Sequence, residues 1–320
     1  MTPRDRGETQ NGALLIKHLE YLTALAREKH FARAATACSV TQPTLSAGIK
    51  HLEETLGVLI VERGQRFRGL TPEGERVLGW AQRILADVQS LRQDVSTSRN
   101  GLSGRLKIGA IPAALPMTAL LVTPFADRYP LTTSTIISMS SIEIQRGLDE
   151  FDLDAGITYL DNEPLVRVRT VPLYRERYVL VTPADGPLAS HATVTWKEAA
   201  TLRLCLLTTD MQNRRILDGH FREGGVRVSP AVETNSMVTL FSHLRLGTFS
   251  SVLPHTAIAL LGETTDLRVL PLVDPRPSHA VGLIIPDRDP LTPITAALLE
   301  IATGAALAES IDAAAGIPAD

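Results

Sequence analysis

Residues 14–72 hold three helix patterns in close succession and then an arginine-rich hairpin pattern, and this order constrains the fold more than any other feature. The first pattern, LLIKHLEYLTALAREKH, predicts an amphipathic helix. Its apolar side chains recur every three or four positions, at Ile16, Leu19, Leu22 and Ala26. The next stretch, FARAATACSV, is short and rich in alanine. Together they predict a compact helical module.

The third pattern, TQPTLSAGIKHLEETLGV, contains its own start and stop. Thr41 or Gln42 can cap the helix, and Gly57 is a natural end. Pro43 is tolerated in the first turn because its missing N–H group has no intrahelical partner there. The expected buried face is Leu45, Ile49 and Leu52. A short helix followed by a helix with a polar start predicts a helix-turn-helix whose residues 42–52 enter the major groove of DNA.

The following stretch, LIVERGQRFRGLTPEG, predicts a wing of two short strands around Gly64. Arginines on a wing reach phosphates or a minor groove and supply affinity more than sequence choice. Residues 30–72 carry five basic and three acidic side chains, a net charge of +2 that does not by itself establish DNA binding. A helical bundle with a solvated charged edge is the alternative. The residues expected to contact DNA are Thr41, Gln42, Pro43, Thr44, Ser46, Lys50, Arg63, Arg66 and Arg68.

The stretch FARAATACSVTQPTLSAGIKHLEETLGVLIVERGQRFRGLTPEGERVL resembles the winged helix-turn-helix of LysR-type transcriptional regulators, and the resemblance extends over nearly the whole chain. It implies a DNA-binding regulator that forms dimers and tetramers. Many relatives have an arginine after the serine of the recognition helix, where this chain has Ala47 and Gly48. LDNEPL, LYRERY and DMQNRRI resemble a subgroup found beside formate dehydrogenase operons.

A long helix follows, with Thr71 as its expected cap and Pro72 at its first position. Its apolar seam steps by four and three, through Val77, Ala81, Ile84, Val88, Leu91 and Val95. This spacing favours pairing with a second copy of the helix, and packing against the chain's own domain is the alternative. A dimer places two recognition helices about 34 Å apart and predicts a pseudo-palindromic operator. We expect a DNA-binding domain over 14–72 and a dimerisation helix and hinge over 73–100.

Residues 105–320 alternate strand and helix patterns, which predicts a parallel α/β sheet. The pattern restarts after VPLYRERYVLVTP, which indicates two halves with a cleft between them. This arrangement resembles the family's effector domain, itself similar to periplasmic binding proteins. The predicted lobes are about 105–180 with 281–320, and 181–280, joined near 179–183 and 279–286. The fold class is therefore α/β with an N-terminal winged helix-turn-helix, a long linker helix and a two-lobed α/β effector domain.

Ligands of open α/β sheets bind beyond the carboxyl ends of the strands, where helix N-termini present N–H groups. That rule selects Pro112, Ala113, Ser140, Ser141, Thr158, Thr208, Thr209, Asn235 and Ser236 as effector-binding residues. Small polar side chains suit a compact, anionic metabolite. Each serine or threonine has helix capping as its alternative role. Arg214 and Arg215 can touch a ligand, and surface salt bridges are their alternative role.

The chain lacks the nucleophile-elbow, P-loop, zinc-protease and dinucleotide-binding motifs, so we expect no enzyme, no catalytic residue and no cofactor. Its eight histidines lack metal-ligand spacing, so no metal is expected. Cys38 and Cys205 fall in different predicted domains, which disfavours a cysteine pair that senses oxidants. No apolar run reaches the length of a membrane span and residues 1–13 lack a secretory pattern, so a cytoplasmic location is expected.

The expected partners are an operator in double-stranded DNA, a small-molecule effector, further copies of the chain and RNA polymerase, with no membrane. The alternative function is a two-lobed solute-binding or scaffolding protein without direct DNA readout, because the lobes alone are compatible with either class.

Overall fold

The computed structural model describes residues 3–62, 67–261, 265–305 and 307. The chain divides into two compact units, Met1–Val95 and Ser96–Asp320, and each is described by itself. The helices of the first unit are α1 Pro3–Glu28, α2 Phe31–Ala37, α3 Gln42–Leu56 and α4 Pro72–Asn100.

Helices α1 to α3 pack around an apolar core formed by Tyr21, Leu25, Ala34, Ala35, Leu45 and Ile49. The buried face predicted for α3 is confirmed, since Leu45, Ile49 and Leu52 are all buried. The stripe predicted for α1 is only partly right. Leu19 and Leu22 are buried, but Ile16 and Ala26 are half-buried, because the buried face of α1 runs instead through Tyr21 and Leu25.

The ends of α3 follow from its sequence. The Thr41 hydroxyl accepts from the backbone N–H of Thr44 at 3.4 Å, so Thr41 and not Gln42 is the cap. Gly57 ends the helix with φ 67°, in the left-handed region that glycine tolerates, as predicted. Local capping chemistry therefore sets where the helix begins and stops.

Close packing between α1 and α3 explains Gly48, one of the two residues that stand where many relatives have an arginine. Gly48 is buried, and a Cβ added there would lie 2.6 Å from Tyr21 Cδ2 and 2.8 Å from His18 Cδ2 of α1. Glycine is thus what allows α1 and α3 to approach closely. Ala47 points to the exposed side of α3.

In its described part the predicted wing is a short antiparallel pairing at a bridge between Val61 and Leu70, where the Glu62 N–H donates to the Gly69 oxygen at 3.1 Å and the Thr71 N–H donates to the Ile60 oxygen at 2.9 Å. The carboxylate of Glu53 accepts from the backbone N–H groups of Ile60 and Val61, at 2.8 and 3.1 Å. These two bonds hold the first arm of the wing to α3. Residues 63–66 lie outside the described residues.

The apolar seam of α4 divides into two parts. Val77 and Ala81 pack with Leu19, Leu22 and Leu52 in the unit's second apolar cluster, so the alternative of packing on the chain's own domain holds there. Farther along, the seam is exposed, at Ile84, Leu91 and Val95. The Thr71 hydroxyl caps the helix by accepting from the N–H of Gly74 at 2.9 Å, as predicted.

The second unit combines short helices with a mixed sheet. Its helices are α5 Thr118–Arg128, α6 Ser141–Asp149, α7 Trp196–Ala199, α8 Gln212–Glu223, α9 Met237–Arg245 and α10 Pro293–Ala302, with 3₁₀ turns at Pro112–Met117 and His255–Leu261. Its strands are β1 Gly104–Ala110, β2 Thr132–Ser138, β3 Ala155–Tyr159, β4 Val168–Pro183, β5 Val194–Thr195, β6 Cys205–Leu207, β7 Val232–Thr234, β8 Ser251–Pro254, β9 Leu267–Val273 and β10 Ser278–Pro286.

One sheet runs in the order β2-β1-β3-β10-β4-β9-β5, with β8 also paired to β4, while β6 pairs with β7. The prediction of a parallel sheet is right for β1–β3, for β5 with β9 and for β6 with β7. It is wrong for the pairings that involve β4 or β10, which are antiparallel because these two strands carry the chain between the two halves. We call the half built on β1–β3 and β10 lobe I, and the half built on β5–β9 lobe II.

Strand β4 belongs to both lobes, because residues 168–177 pair with β10 and residues 178–183 pair with β8 or β9. The second connection is the segment 274–277 between β9 and β10, just before the predicted joint at 279–286. The sequence patterns did not identify β5, α7 or β9, and the segment that follows β8 forms a 3₁₀ turn.

Candidate functional site

The candidate DNA-binding surface is the polar start of α3. Thr41, Gln42, Pro43, Thr44 and Lys50 are exposed and Ser46 is half-buried, on the side of α3 away from its core contacts. Lys50 Nζ lies 3.7 Å from Glu54 Oε1, one turn along the helix. The hydroxyls of Thr41 and Thr44 are 2.8 Å apart and bond to each other. Among the wing arginines, Arg68 is exposed, and Arg63 and Arg66 lie outside the described residues.

Ser140 and Ser236 both cap helices, which was the alternative to their predicted role in effector binding. Ser140 forms a capping box on α6, because its hydroxyl and backbone N–H both donate to Glu143 Oε2 at 2.8 Å. The Ser236 hydroxyl caps α9 by accepting from the N–H of Thr239 at 3.3 Å. Their side chains are therefore already engaged within their own helices.

Thr158 of lobe I meets the N-terminus of α8 in lobe II. Its hydroxyl donates to Gln212 Oε1 at 3.0 Å, and both residues are buried. Gln212 Nε2 has no hydrogen-bond partner among the described residues, although the side chain is only 2% exposed. The N-cap residue of α8, Met211, forms no side-chain capping bond. The first turn of α8 thus offers N–H donors, both backbone and side-chain, at the point where Thr158 of lobe I meets lobe II.

A second contact between the lobes joins Ser141, Glu163 and Arg215, which we call the latch. Arg215 Nε donates to Glu163 Oε1 at 2.7 Å and Arg215 Nη2 donates to Ser141 Oγ at 3.1 Å. The Ser141 hydroxyl donates to Glu163 Oε2 at 2.8 Å. Because Ser141 and Glu163 follow strands of lobe I and Arg215 lies on α8, these bonds hold the two lobes together on one side of the cleft.

The other predicted effector residues do not meet in one cluster. Thr208 follows β6, and its hydroxyl is buried without a partner among the described residues. Thr209 and Asn235 are exposed at the same end of the β6–β7 pair. Pro112 and Ala113 are buried at the start of a 3₁₀ turn after β1. The structure therefore joins Ser141 and Thr158 to α8.

Sequence reasoning missed Gln212 and Glu163 and misjudged Arg214. Gln212 occupies the same kind of position, a helix start after a strand, that selected the serines, so the rule could have found it. Arg214 is not a surface residue: it is 5% exposed and pairs with Asp218 and Glu233 at 2.9 and 2.6 Å. Glu163 lies on a loop without a local pattern.

A fully buried carboxyl, Glu176, lies on β4 where this strand passes between the lobes. The Tyr159 hydroxyl donates to Glu176 Oε1 and accepts from Asn213 Nδ2 at 2.9 Å and from the Tyr178 hydroxyl at 3.2 Å. Burial raises the pKa of Glu176 to about 8, against the lowering effect of the tyrosine hydrogen bonds. The carboxyl is therefore mostly protonated at neutral pH. We call these four residues the hinge cluster.

Two histidines bridge α8 and β10 beside this cluster. His220 Nε2 and His279 Nε2 are 2.8 Å apart, so one ring donates and the other accepts. Burial lowers the pKa of His279. Among the described residues no group of three or more His, Cys, Asp or Glu side chains is arranged to hold a metal ion. Nor does any described helix have the length and apolar character to cross a membrane.

The two cysteines occupy separate units. Cys205 is buried in β6, and Cys38 is half-buried at the end of α2. Burial raises the pKa of both thiols. Reactive cysteines have the opposite property, a lowered pKa and partial exposure.

Residues 16–75 match the bacterial regulatory helix-turn-helix protein family of lysR type, and residues 99–306 match the LysR substrate binding domain. The chain belongs to the LysR family. It is a DNA-binding transcriptional regulator with an effector-binding domain, and the predicted fold class, a helix-turn-helix domain with a two-lobed α/β domain, is confirmed.

The DNA-binding transcriptional dual regulator OxyR of Escherichia coli (strain K12) is 30% identical over 277 residues, covering 86% of this chain and 90% of the relative. The probable hydrogen peroxide-inducible genes activator of Streptomyces viridosporus is 31% identical over 275 residues, covering 84% of this chain and 86% of the relative. A full-length OxyR variant from Pseudomonas aeruginosa matches with a TM-score of 0.70 and 30% identity, covering 92% and 97%. These relatives are regulators rather than enzymes, and their names give no support to the predicted formate dehydrogenase subgroup.

Proposed function

We propose that this LysR-family regulator reads a pseudo-palindromic operator with residues 42–52 of two α3 helices, while the wing arginines, Arg68 among them, contact phosphates. The exposed polar start of α3 supports this assignment. The exposed seam of α4 supports a dimer, since Leu91 is 64% and Val95 53% exposed within one chain. Paired seams would remove these side chains from water.

Binding of genomic fragments to the purified protein, followed by sequencing, tests DNA reading. We expect a few pseudo-palindromic sites to be enriched, and their neighbouring genes name the first metabolites to try as effectors. Recovery of nothing above random would contradict operator reading by the ligand-free protein and favour the solute-binding alternative.

The effector of our proposal is a small anion bound between the lobes, at the first turn of α8. The observation that carries this proposal is the unpartnered Nε2 of the buried Gln212, beside a helix N-terminus without a side-chain cap. Helix N-termini attract anions because their free N–H groups and the helix dipole both favour negative charge. The Thr208 hydroxyl adds a further free group nearby in the chain.

The latch couples binding of this effector to the arrangement of the two lobes. Closed lobes keep Arg215 bonded to Glu163 and Ser141, and lobe separation breaks these bonds. An effector that contacts α8 and lobe I together binds the closed arrangement better than the open one. Only this difference in affinity can shift the population between the two arrangements.

Calorimetric titration with small carboxylates, formate included, tests the cleft. Gln212→Ala should weaken binding about tenfold or more, because one hydrogen bond to a charged ligand is lost. Gln89→Ala, which removes an exposed amide of α4, is the matched control and should bind as the wild type does. Equal affinity of Gln212→Ala and the wild type would remove α8 from the site. A response to formate would support the predicted subgroup.

Several relatives are named as hydrogen peroxide-inducible activators, and we propose that this chain does not sense peroxide through a thiol. Cys205 is buried in a strand with a raised pKa, and Cys38 lies in the other unit. Cys205→Ser should leave operator binding with and without peroxide unchanged. A peroxide-dependent change that disappears in Cys205→Ser would overturn this proposal. We further propose action in the cytoplasm, with RNA polymerase as a partner.

A further inference from the structure

A pocket with a volume of about 370 Å³ lies against α8. It is lined by Arg215, Asp218, Arg222, Arg227 and Val228. The first three lie three and four positions apart on α8, so they share one face of the helix. Arg227 and Val228 follow the helix and close the pocket from the side. The volume falls in the range of small-molecule sites, about 300–1,000 Å³.

The charges around this pocket do not cancel. The Arg215 guanidinium is bonded to the latch and to the backbone oxygens of Thr209 and Asp210, at 3.1 and 2.6 Å, so its donors are occupied. The Asp218 carboxylate accepts from the buried Arg214 Nε at 2.9 Å, which offsets its negative charge.

Two guanidinium groups are therefore left with free donors. Arg222 Nε donates to the backbone oxygen of Asp218 at 3.0 Å, and its terminal nitrogens remain available. Arg227 is exposed and has no hydrogen-bond or ion-pair partner among the described residues. Paired guanidinium groups in a concave site bind carboxylates and phosphates through charged, often bidentate hydrogen bonds.

We propose that this pocket is a second ligand site, for a small oxyanion such as a phosphate ester or a dicarboxylate, held by Arg222 and Arg227. It goes beyond the effector cleft proposed above, since Gln212 and Thr208 do not line it. Val228 supplies an apolar wall for the carbon skeleton of the ligand. Arg215 lines this pocket and also forms the latch, so ligand charge here acts on a residue that holds the lobes together.

Calorimetric titration of the full-length protein with inorganic pyrophosphate and with succinate, at constant ionic strength, tests the pocket. Both probes should bind the wild type, and Arg227→Ala should weaken binding about tenfold. Asp218→Asn should strengthen binding several-fold, because it removes a negative charge from the pocket wall. Arg268→Ala removes an exposed arginine of β9 that does not line the pocket, and it should bind as the wild type does.

Gln212→Ala distinguishes binding in this pocket from binding in the cleft. Because Gln212 does not line the pocket, this variant should bind pyrophosphate as the wild type does. Operator binding by Arg227→Ala, measured in parallel, reports that the variant is folded, and a failure to find an operator does not affect the titration. The proposal is overturned if neither probe binds, if Arg227→Ala binds like the wild type, if Arg268→Ala loses as much affinity, or if Gln212→Ala abolishes binding.

Discussion

Glu176→Gln should remove a large part of the pH dependence of stability in the second unit. Glu176 is fully buried, and its pKa is raised from the ordinary 4.5 to about 8. The folded chain therefore holds the proton more tightly than the unfolded chain. Its stabilising contribution is complete below pH 4.5 and is lost as the pH rises through 8. With about 1.4 kcal/mol for each pKa unit, this carboxyl lowers the free energy of unfolding by about 2–3 kcal/mol between pH 5 and pH 7.

The measurement is the difference in free energy of unfolding between Glu176→Gln and the wild type, obtained from denaturant titrations at pH 5, 6 and 7. Trp196 is fully buried in this unit and reports its unfolding by fluorescence. A Trp80→Phe background removes the exposed tryptophan of α4. The difference should grow by about 2–3 kcal/mol in favour of glutamine from pH 5 to pH 7.

The contributions of other titrating groups to the free energy of unfolding cancel in this difference, as long as the substitution leaves those groups unchanged. Glu300→Gln replaces an exposed carboxylate of α10 that pairs with Arg128, and it should keep the wild-type pH dependence. A difference for Glu176→Gln that stays constant within about 0.5 kcal/mol would show that the buried carboxyl titrates normally, and the reasoning from burial would fail.

Three further predictions concern the first unit. Gly48→Ala should destabilise this unit by about 1–3 kcal/mol in denaturant unfolding, because the new Cβ would clash with Tyr21. Gly79→Ala, at a position of α4 with open space around it, should stabilise the unit by about 0.5–1 kcal/mol, and equal effects of the two substitutions would contradict the packing account. Leu91→Glu should convert dimers to monomers in sedimentation experiments, and an unchanged mass would exclude the α4 seam as the interface. Gln42→Ala should reduce affinity for operator DNA more than for random DNA, by about tenfold in the ratio, and equal losses would remove Gln42 from base reading.

Features determined by neighbouring residues could be predicted from the sequence. The caps at Thr41, Thr71 and Ser140 and the stop at Gly57 depend on bonds within a few positions, so the residue types alone indicate them. The wing shows both sides of this rule. The pairing around Val61 and Leu70 follows the local pattern, whereas the bonds from the N–H groups of Ile60 and Val61 to Glu53, seven and eight positions earlier, have no local signal.

The contacts that define the cleft could not be predicted in the same way. Thr158 and Gln212 are 54 positions apart, and Glu163 and Arg215 are 52 apart. Which of these side chains meet depends on the order of the strands and on the passage of β4 between the lobes. A single sequence has no local pattern that records this pairing. The position of Gln212 after a strand was visible, whereas its partner was not.

Helix α8 connects the features of the second unit, and this has a consequence for the effector. Gln212 faces Thr158, Asn213 joins the hinge cluster, and Arg215 forms the latch within the first turn of one helix. Because a helix moves as a stiff body, a displacement that breaks one of these contacts strains the others. A ligand shifts the population only as far as its affinity differs between the open and the closed lobes, however tightly it binds. We therefore expect an effector bound in the cleft to contact α8 and lobe I at the same time, because both contacts are available together only when the lobes are closed.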